Sequence, residues 1–311
     1  MAANQPQEYQ VPTGVGRTAV GVAAARAEED RRGDRLFDDP LAAHFVTAAG
    51  AAPSLTDHDP IAAQDGDLWS CFASYAPIRT RFFDDYCDEA CAAGCRQVVI
   101  LAAGLDTRAF RLRWPAGVRL FELDTPEVLT FKEQVLTERA AIPACQRVVI
   151  STDLREDWPT AVAQAGFDPG EPTAWLAEGI SMYLTRDEWN HLLDRVGQLS
   201  APGSRLGFEY ADQATLQHMI DAVDEPADVT FIKTLWRSDG QTDTTSWLSR
   251  NGWQAQDYAA TERARSYGRP MPNFTSPAAQ AALASPGGLI TALRVHGSGP
   301  GPSGPAGFTA G

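Results

Sequence analysis

The stretch Gln97-Val-Val-Ile-Leu-Ala-Ala-Gly-Leu-Asp-Thr-Arg-Ala-Phe-Arg-Leu112 decides the fold. Val98 to Leu101 is a continuous branched apolar run, the mark of a strand buried on both faces. Ala102, Ala103 and Gly104 then let the backbone turn tightly and approach a ligand closely. This is not a GxGxxG loop, because Ala102 stands where its first glycine would be. On its own the turn also reads as an ordinary tight turn.

Working outward, further strands are predicted at Val118–Leu123, Arg147–Ser151, Ala174–Ala177 and Arg205–Phe208. Helical segments separate them. One runs from Pro126 to Arg139, and another from Thr185 to Leu199 opens with a Thr185/Glu188 capping box. Before the first strand, Ile78, Phe82, Phe83, Tyr86, Cys87, Ala90 and Cys91 share a helical face. Strands alternating with helices call for an α/β, doubly wound, mostly parallel sheet. Late strands at Trp253–Gln256 and Leu289–Val295 would add antiparallel edges. Residues 1–16 read as a mobile arm, Arg17–Glu29 as a helix, and Asp39-Pro40 as a helix cap. Residues 50–67 read as a loop or hinge, and the Gly/Pro-rich tail 297–311 as disordered.

In such a sheet, ligands bind beyond the carboxyl ends of the strands. Those ends deliver Asp106, Asp124, Asp153 and Glu178 in turn. Asp124 lies twenty residues past Gly104, the offset at which a carboxylate accepts from both ribose hydroxyls. A solvated strand-end acid is the plain alternative. Asp153 can accept from an adenine amino group while Leu154 packs on the ring. A negative crevice suits a nucleoside joined to a cation and suits a pyrophosphate poorly, so a nicotinamide-dependent oxidoreductase ranks second among enzymes.

Composition excludes other classes. The 311 residues hold 26 Lys/Arg against 40 Asp/Glu, a net charge of −14, which repels a nucleic-acid backbone. The apolar run Val98–Gly104 is far short of the roughly 20 residues of a membrane span. With no visible secretory signal, a cytoplasmic location is expected. Cys87, Cys91 and Cys95 recur at helical spacing and read as small buried hydrophobes; no metal site is expected. The basic cluster Arg108, Arg111 and Arg113 reads as a solvated face with single anion contacts. The five histidines show no base-and-orienter pattern, so no catalytic base is assigned.

Several segments together resemble a known family: GVGRTAVGVAAARAEE, LFDDPLA, YAPIRTRFFDD, QVVILAAGLDTRAFRL, LFELDTPEVLTFK, STDLRED and WLAEGISMYL. The chain is similar to class I S-adenosylmethionine-dependent methyltransferases of the leucine carboxyl methyltransferase family, in the bacterial branch that includes polyketide O-methyltransferases. The resemblance spans Arg17 to Val295. It implies a Rossmann-like methyltransferase fold and S-adenosyl-L-methionine as cofactor. It implies that Arg79 pairs with the carboxylate of the methionyl part and Gly104 lines the methionyl chain. Asp124 would hold the ribose, Asp153 and Leu154 the adenine, and Glu178 would lie near the amine. The departure is Ala102, where the branch usually has glycine.

The implied organisation is an arm and helical lid over 1–76, a core over 77–296 with an acceptor-cap insertion at about 211–250, and the tail. Arg79 reads as sitting at a helix start after Pro77 and as spared for the ligand, so its replacement would leave ligand-free stability nearly constant. Tyr183 lines the acceptor pocket or packs in the core. Phe231, Trp236 and Trp247 are open to either role. The expected partner is a small-molecule acceptor. A carboxylate needs no general base, whereas a phenol with pKa near ~10 would benefit from one. The absence of a base pattern leans towards a carboxylate. A phenol or hydroxyl of a polyketide-type product, or a protein or peptide carboxyl group, stays open, as does a nonenzymatic cofactor-binding protein.

Overall fold

The computed structural model describes residues 9–50, 68–210, 234–237, 244–269, 271 and 288–295. Its centre is a seven-stranded sheet. The strands are β1 (Gln97–Leu101), β2 (Arg119–Asp124), β3 (Gln146–Ser151), β4 (Thr173–Ala177), β5 (Arg205–Glu209), β6 (Trp253–Tyr258) and β7 (Leu289–Arg294), in the order β3-β2-β1-β4-β5-β7-β6. The first five are parallel, and β7 runs antiparallel to both β5 and β6. Every residue of β1 and β4 is buried, as expected of strands covered on both faces. The order reverses between β1 and β4, so a crevice opens beyond their carboxyl ends. Among the described residues, no helix is long and apolar enough to cross a membrane.

The helices are α1 (Gly14–Asp30), α2 (Ala42–Ala48), α3 (Leu68–Ala92), α4 (Arg108–Arg111), α5 (Pro126–Glu138), α6 (Trp158–Gln164), α7 (Arg186–Gln198), α8 (Thr244–Arg250) and α9 (Ala260–Ser266). The capping box of α7 forms: the Glu188 N–H donates to the Thr185 hydroxyl, and the Thr185 N–H donates to the Glu188 carboxylate. Behind it Trp189, Leu192, Leu193 and Val196 are buried against the sheet. Burial of each is worth ~1.5–3 kcal/mol. Cys87, Cys91 and Cys95 are free and buried with Phe83 and Val98, as small hydrophobes.

Two expectations change, and one reading left open is decided. Residues 9–16 are not a mobile arm, since α1 already starts at Gly14 and the segment before it docks on α5. The Tyr9 ring meets Phe131 edge-on, and the Thr13 N–H donates to Glu127 at 2.6 Å. A Cβ on Gly16 would come within 2.8 Å of Pro12 and 2.9 Å of Val128, so glycine is there for close packing. Second, α3 does not start after Pro77 but runs through it, which places Arg79 three turns into the helix. The proline removes one intrahelical donor. Packing against the sheet outweighs that loss. Trp247, open between cap and core on sequence, packs against the core beside α7. Residues 51–67, 211–233 and 296–311, which include most of the expected hinge, much of the cap with Phe231, and the tail, lie outside the described residues.

Candidate active site

The turn after β1 has two left-handed residues. Ala102 has φ +51° and Gly104 has φ +50°. The left-handed conformation costs an L-residue about 1–2 kcal/mol, and a part of that returns through the stiffer unfolded chain. Ala102→Gly should therefore raise stability, by up to about 1 kcal/mol. A melting temperature that fell would show that the Ala102 methyl, which packs on the core, matters more than the strain. A Cβ on Gly104 would lie 3.3 Å from Ala19, so α1 covers this turn.

At the end of β2, Asp124 accepts from the Gly104 N–H at 2.6 Å and from the Thr125 N–H at 2.7 Å. Burial pushes its carboxyl above the usual range, against the pull of those two bonds. At the end of β3, Asp153 accepts from its neighbour Arg155 through both the backbone N–H and Nε, each at 2.9 Å. Leu154 is half-buried against the core.

The ends of β4 and β5 bear the densest chemistry. Ala177 faces Phe208 in register, so the next residues, Glu178 and Glu209, come out side by side. Arg79 reaches both from α3. Its Nε donates to Glu178 at 2.8 Å, and its Nη1 donates to the two oxygens of Glu209 at 2.9 and 3.0 Å. The Tyr75 hydroxyl donates to Glu209 at 3.0 Å. Gly179, at φ +73°, brings the chain so close that a Cβ would lie 3.6 Å from Arg79 Nη1. Tyr183 follows on a short 3-10 turn, Ser181–Tyr183, where burial pushes its phenol up beside Thr18 and Trp236.

Arg108 completes the cluster. It pairs with Glu178 at 2.8 Å, with Asp84 at 2.8 Å, and with Asp106. Arg111 forks onto both oxygens of Asp84 at 2.6 and 2.7 Å. These two arginines are buried, which corrects their reading as a solvated face. Asp106 and Glu178 are likewise not free acids of a bare negative crevice, since guanidinium groups hold them. Burial pushes the Asp106 carboxyl up, but Arg108 together with Lys132, Arg26 and Arg111 outweighs it and holds Asp106 down at about 2; against the same push, Arg108 and Arg79 together hold Glu178 below the usual range.

The Asp106 shift has a pH consequence. A depressed folded-state pKa adds stability above the unfolded value of about 4, and this is lost as pH falls through the folded value. Asp106 should thus contribute about 2 kcal/mol at neutral pH that disappears between roughly pH 4 and pH 2. Acid titration followed by circular dichroism should show a flatter loss over that window in Asp106→Asn. An unchanged profile would mean that other carboxylates carry the acid limb.

Sequence reading missed Glu209, Tyr75, Asp84 and Arg108. The partners of Glu209 are 130 and 134 residues away, so nothing in its local pattern marks it. The sole hint was its position one residue beyond a predicted strand end.

Three comparisons bear on this site. The family model of leucine carboxyl methyltransferase matches residues 19–197. The chain belongs to the leucine carboxyl methyltransferase family. A Streptomyces coelicolor relative, named as an S-adenosyl-L-methionine-dependent methyltransferase, is 44% identical over 93% of this chain and 98% of its own. A Parafrankia relative of the same name is 48% identical over 83% of each. A solved Thermobifida fusca structure described as a methyltransferase shares the fold, with a TM-score of 0.50, 16% identity, and coverage of 95% of this chain and 100% of that one. The chain is thus an S-adenosyl-L-methionine-dependent methyltransferase with a Rossmann-like fold.

The residues present fit that cofactor. Among the described residues, the five carboxylates of this ion-pair cluster, Asp39, Asp84, Asp106, Glu178 and Glu209, meet the four guanidinium groups of Arg26, Arg79, Arg108 and Arg111. A buried site with one negative charge in excess favours a cationic ligand. Asp124, at the next strand end but one, has acceptor capacity left for hydroxyl groups.

Proposed function

We propose that this methyltransferase esterifies a carboxylate of a small molecule. S-adenosyl-L-methionine supplies an electrophilic methyl on a sulfonium. Arg79 holds its carboxylate, Glu178 its amine, and Gly104 lines the methionyl chain. Asp124 holds the ribose, and Asp153 with Leu154 the adenine. Tyr183 lines the acceptor pocket. Residues 1–76 serve as arm and lid, and 77–296 as the core, with an acceptor cap at about 211–250.

The observation that carries the acceptor class is the state of the acids. Asp106 and Glu178 are held ionised by arginines; burial pushes Glu209 up, but Arg79 engages both of its oxygens. Groups so engaged are poor general bases. A carboxylate acceptor is ionised at neutral pH and needs none; the chain has only to position it and keep water away. The family's name points the same way.

The test is a methyl-transfer assay over small carboxylic acids, phenols and C-terminal peptides, read by mass spectrometry before and after mild alkali. A methylated acid that alkali demethylates is the expected product. An alkali-stable methyl ether from a phenol would overturn the acceptor class, and methylation of peptides alone would overturn the small-molecule reading.

A further inference from the structure

An unbraced arginine has more freedom than a clamp should have. Arg79 is a long side chain on a helix, and a guanidinium grips a carboxylate well only when its plane is fixed. Two groups fix it here. Glu178 takes the Nε edge, and both oxygens of Glu209 converge on Nη1, leaving the Nη2 edge to which neither glutamate bonds. Glu209 is buried, and Tyr75 holds one of its oxygens in turn. The Tyr75 ring also lies under the guanidinium, 5.9 Å from its carbon. Glu178 is shared with Arg108, so of the two acids Glu209 alone is given over to Arg79 and Tyr75.

We propose that Glu209, braced by Tyr75, is a positioning residue that aims Arg79 at the cofactor carboxylate. This rests on the reading of Arg79 as the carboxylate clamp. The chemistry predicts what an isosteric change does. In Glu209→Gln one oxygen becomes an NH2, a donor facing the Nη1 donor. The guanidinium must swing away, although shape and burial are kept.

The test uses the full chain and two ligands, S-adenosylhomocysteine and 5′-methylthioadenosine, which shares the nucleoside and lacks the amino-acid end. Calorimetry on Glu209→Gln should show S-adenosylhomocysteine weakened about tenfold, with methylthioadenosine within about twofold of wild type. Arg79→Lys should show the same selective loss, and the double variant should be little worse than Arg79→Lys alone, because the two act as one unit. Tyr75→Phe should give a smaller loss of the same selectivity, and it decides the matter if Glu209→Gln does not fold. Equal weakening of both ligands by Glu209→Gln, or additive losses in the double variant, would overturn the positioning role. So would a selective loss in Arg79→Lys that neither Glu209→Gln nor Tyr75→Phe shares. If Arg79→Lys itself binds both ligands normally, the clamp reading fails and takes the proposal with it.

Discussion

Arg79→Ala is expected to lose cofactor binding and, in the absence of ligand, to melt far below the wild type. The second half reverses what sequence alone suggests, and the reason is burial. Arg79 is 4% exposed and sits between Glu178 and Glu209. Its removal strands Glu209 without a cation and leaves Glu178 with only Arg108. Breaking a buried pair by deleting one partner costs ~3–5 kcal/mol, which corresponds to roughly 10 °C in a chain of this size. Arg79→Lys keeps the charge, so it should recover much of the stability. It should not recover binding, because one ammonium cannot satisfy both glutamates and present a flat fork to a third carboxylate. Calorimetric melts without ligand, paired with the cofactor KM, separate these effects. A ligand-free melt of Arg79→Ala equal to wild type would mean that the cluster contributes nothing to stability.

Asp124→Asn should weaken S-adenosylhomocysteine at least tenfold. Both oxygens already accept backbone N–H bonds, from Gly104 and Thr125. A carboxylate has about four acceptor positions; the Thr125 hydroxyl takes a third at 3.4 Å, so one is open to a ribose hydroxyl and that long bond can yield to a second. Asparagine offers one oxygen, and its NH2 must face either a backbone donor or a hydroxyl. Each charged hydrogen bond lost costs ~1.5–3 kcal/mol, more than a factor of ten. The Gly104 turn leans on the same bond, so the ligand-free melt should fall modestly too. Titration calorimetry showing unchanged affinity would remove Asp124 from the site.

The strands were legible because branched apolar runs have few other uses. β1 and β4 were placed to within a residue by Val98–Leu101 and Ala174–Ala177. The strand-end acids were legible because topology fixes where a chain of this pattern puts its ligands. What these acids touch was not. The Arg108–Asp84 and Arg79–Glu209 pairs span 24 and 130 residues, and nothing local distinguishes a buried arginine from a solvated one. Pro77 misled for a related reason. Proline is a strong local signal, yet α3 crosses it because Phe82, Phe83 and Tyr86 bury one face against the sheet. Gly14 and Gly16 read as a loose arm, whereas Gly16 is where the chain presses against Val128.

The place of β7 has a consequence for how the chain is made. It lies between β5 and β6, although it follows both in sequence, and among the described residues it is the one neighbour β6 has in the sheet. On the ribosome, β1 to β5 emerge first and can assemble with one raw edge at β5. β6 then emerges without the strand it pairs with, and its ladder waits for residues 289–294. The newborn protein must therefore keep an unpaired strand edge from sticking to its neighbours until β7 has emerged. Ribosome-bound chains that stop short of Leu289 should be more readily cleaved by protease around β6 than released full-length chains.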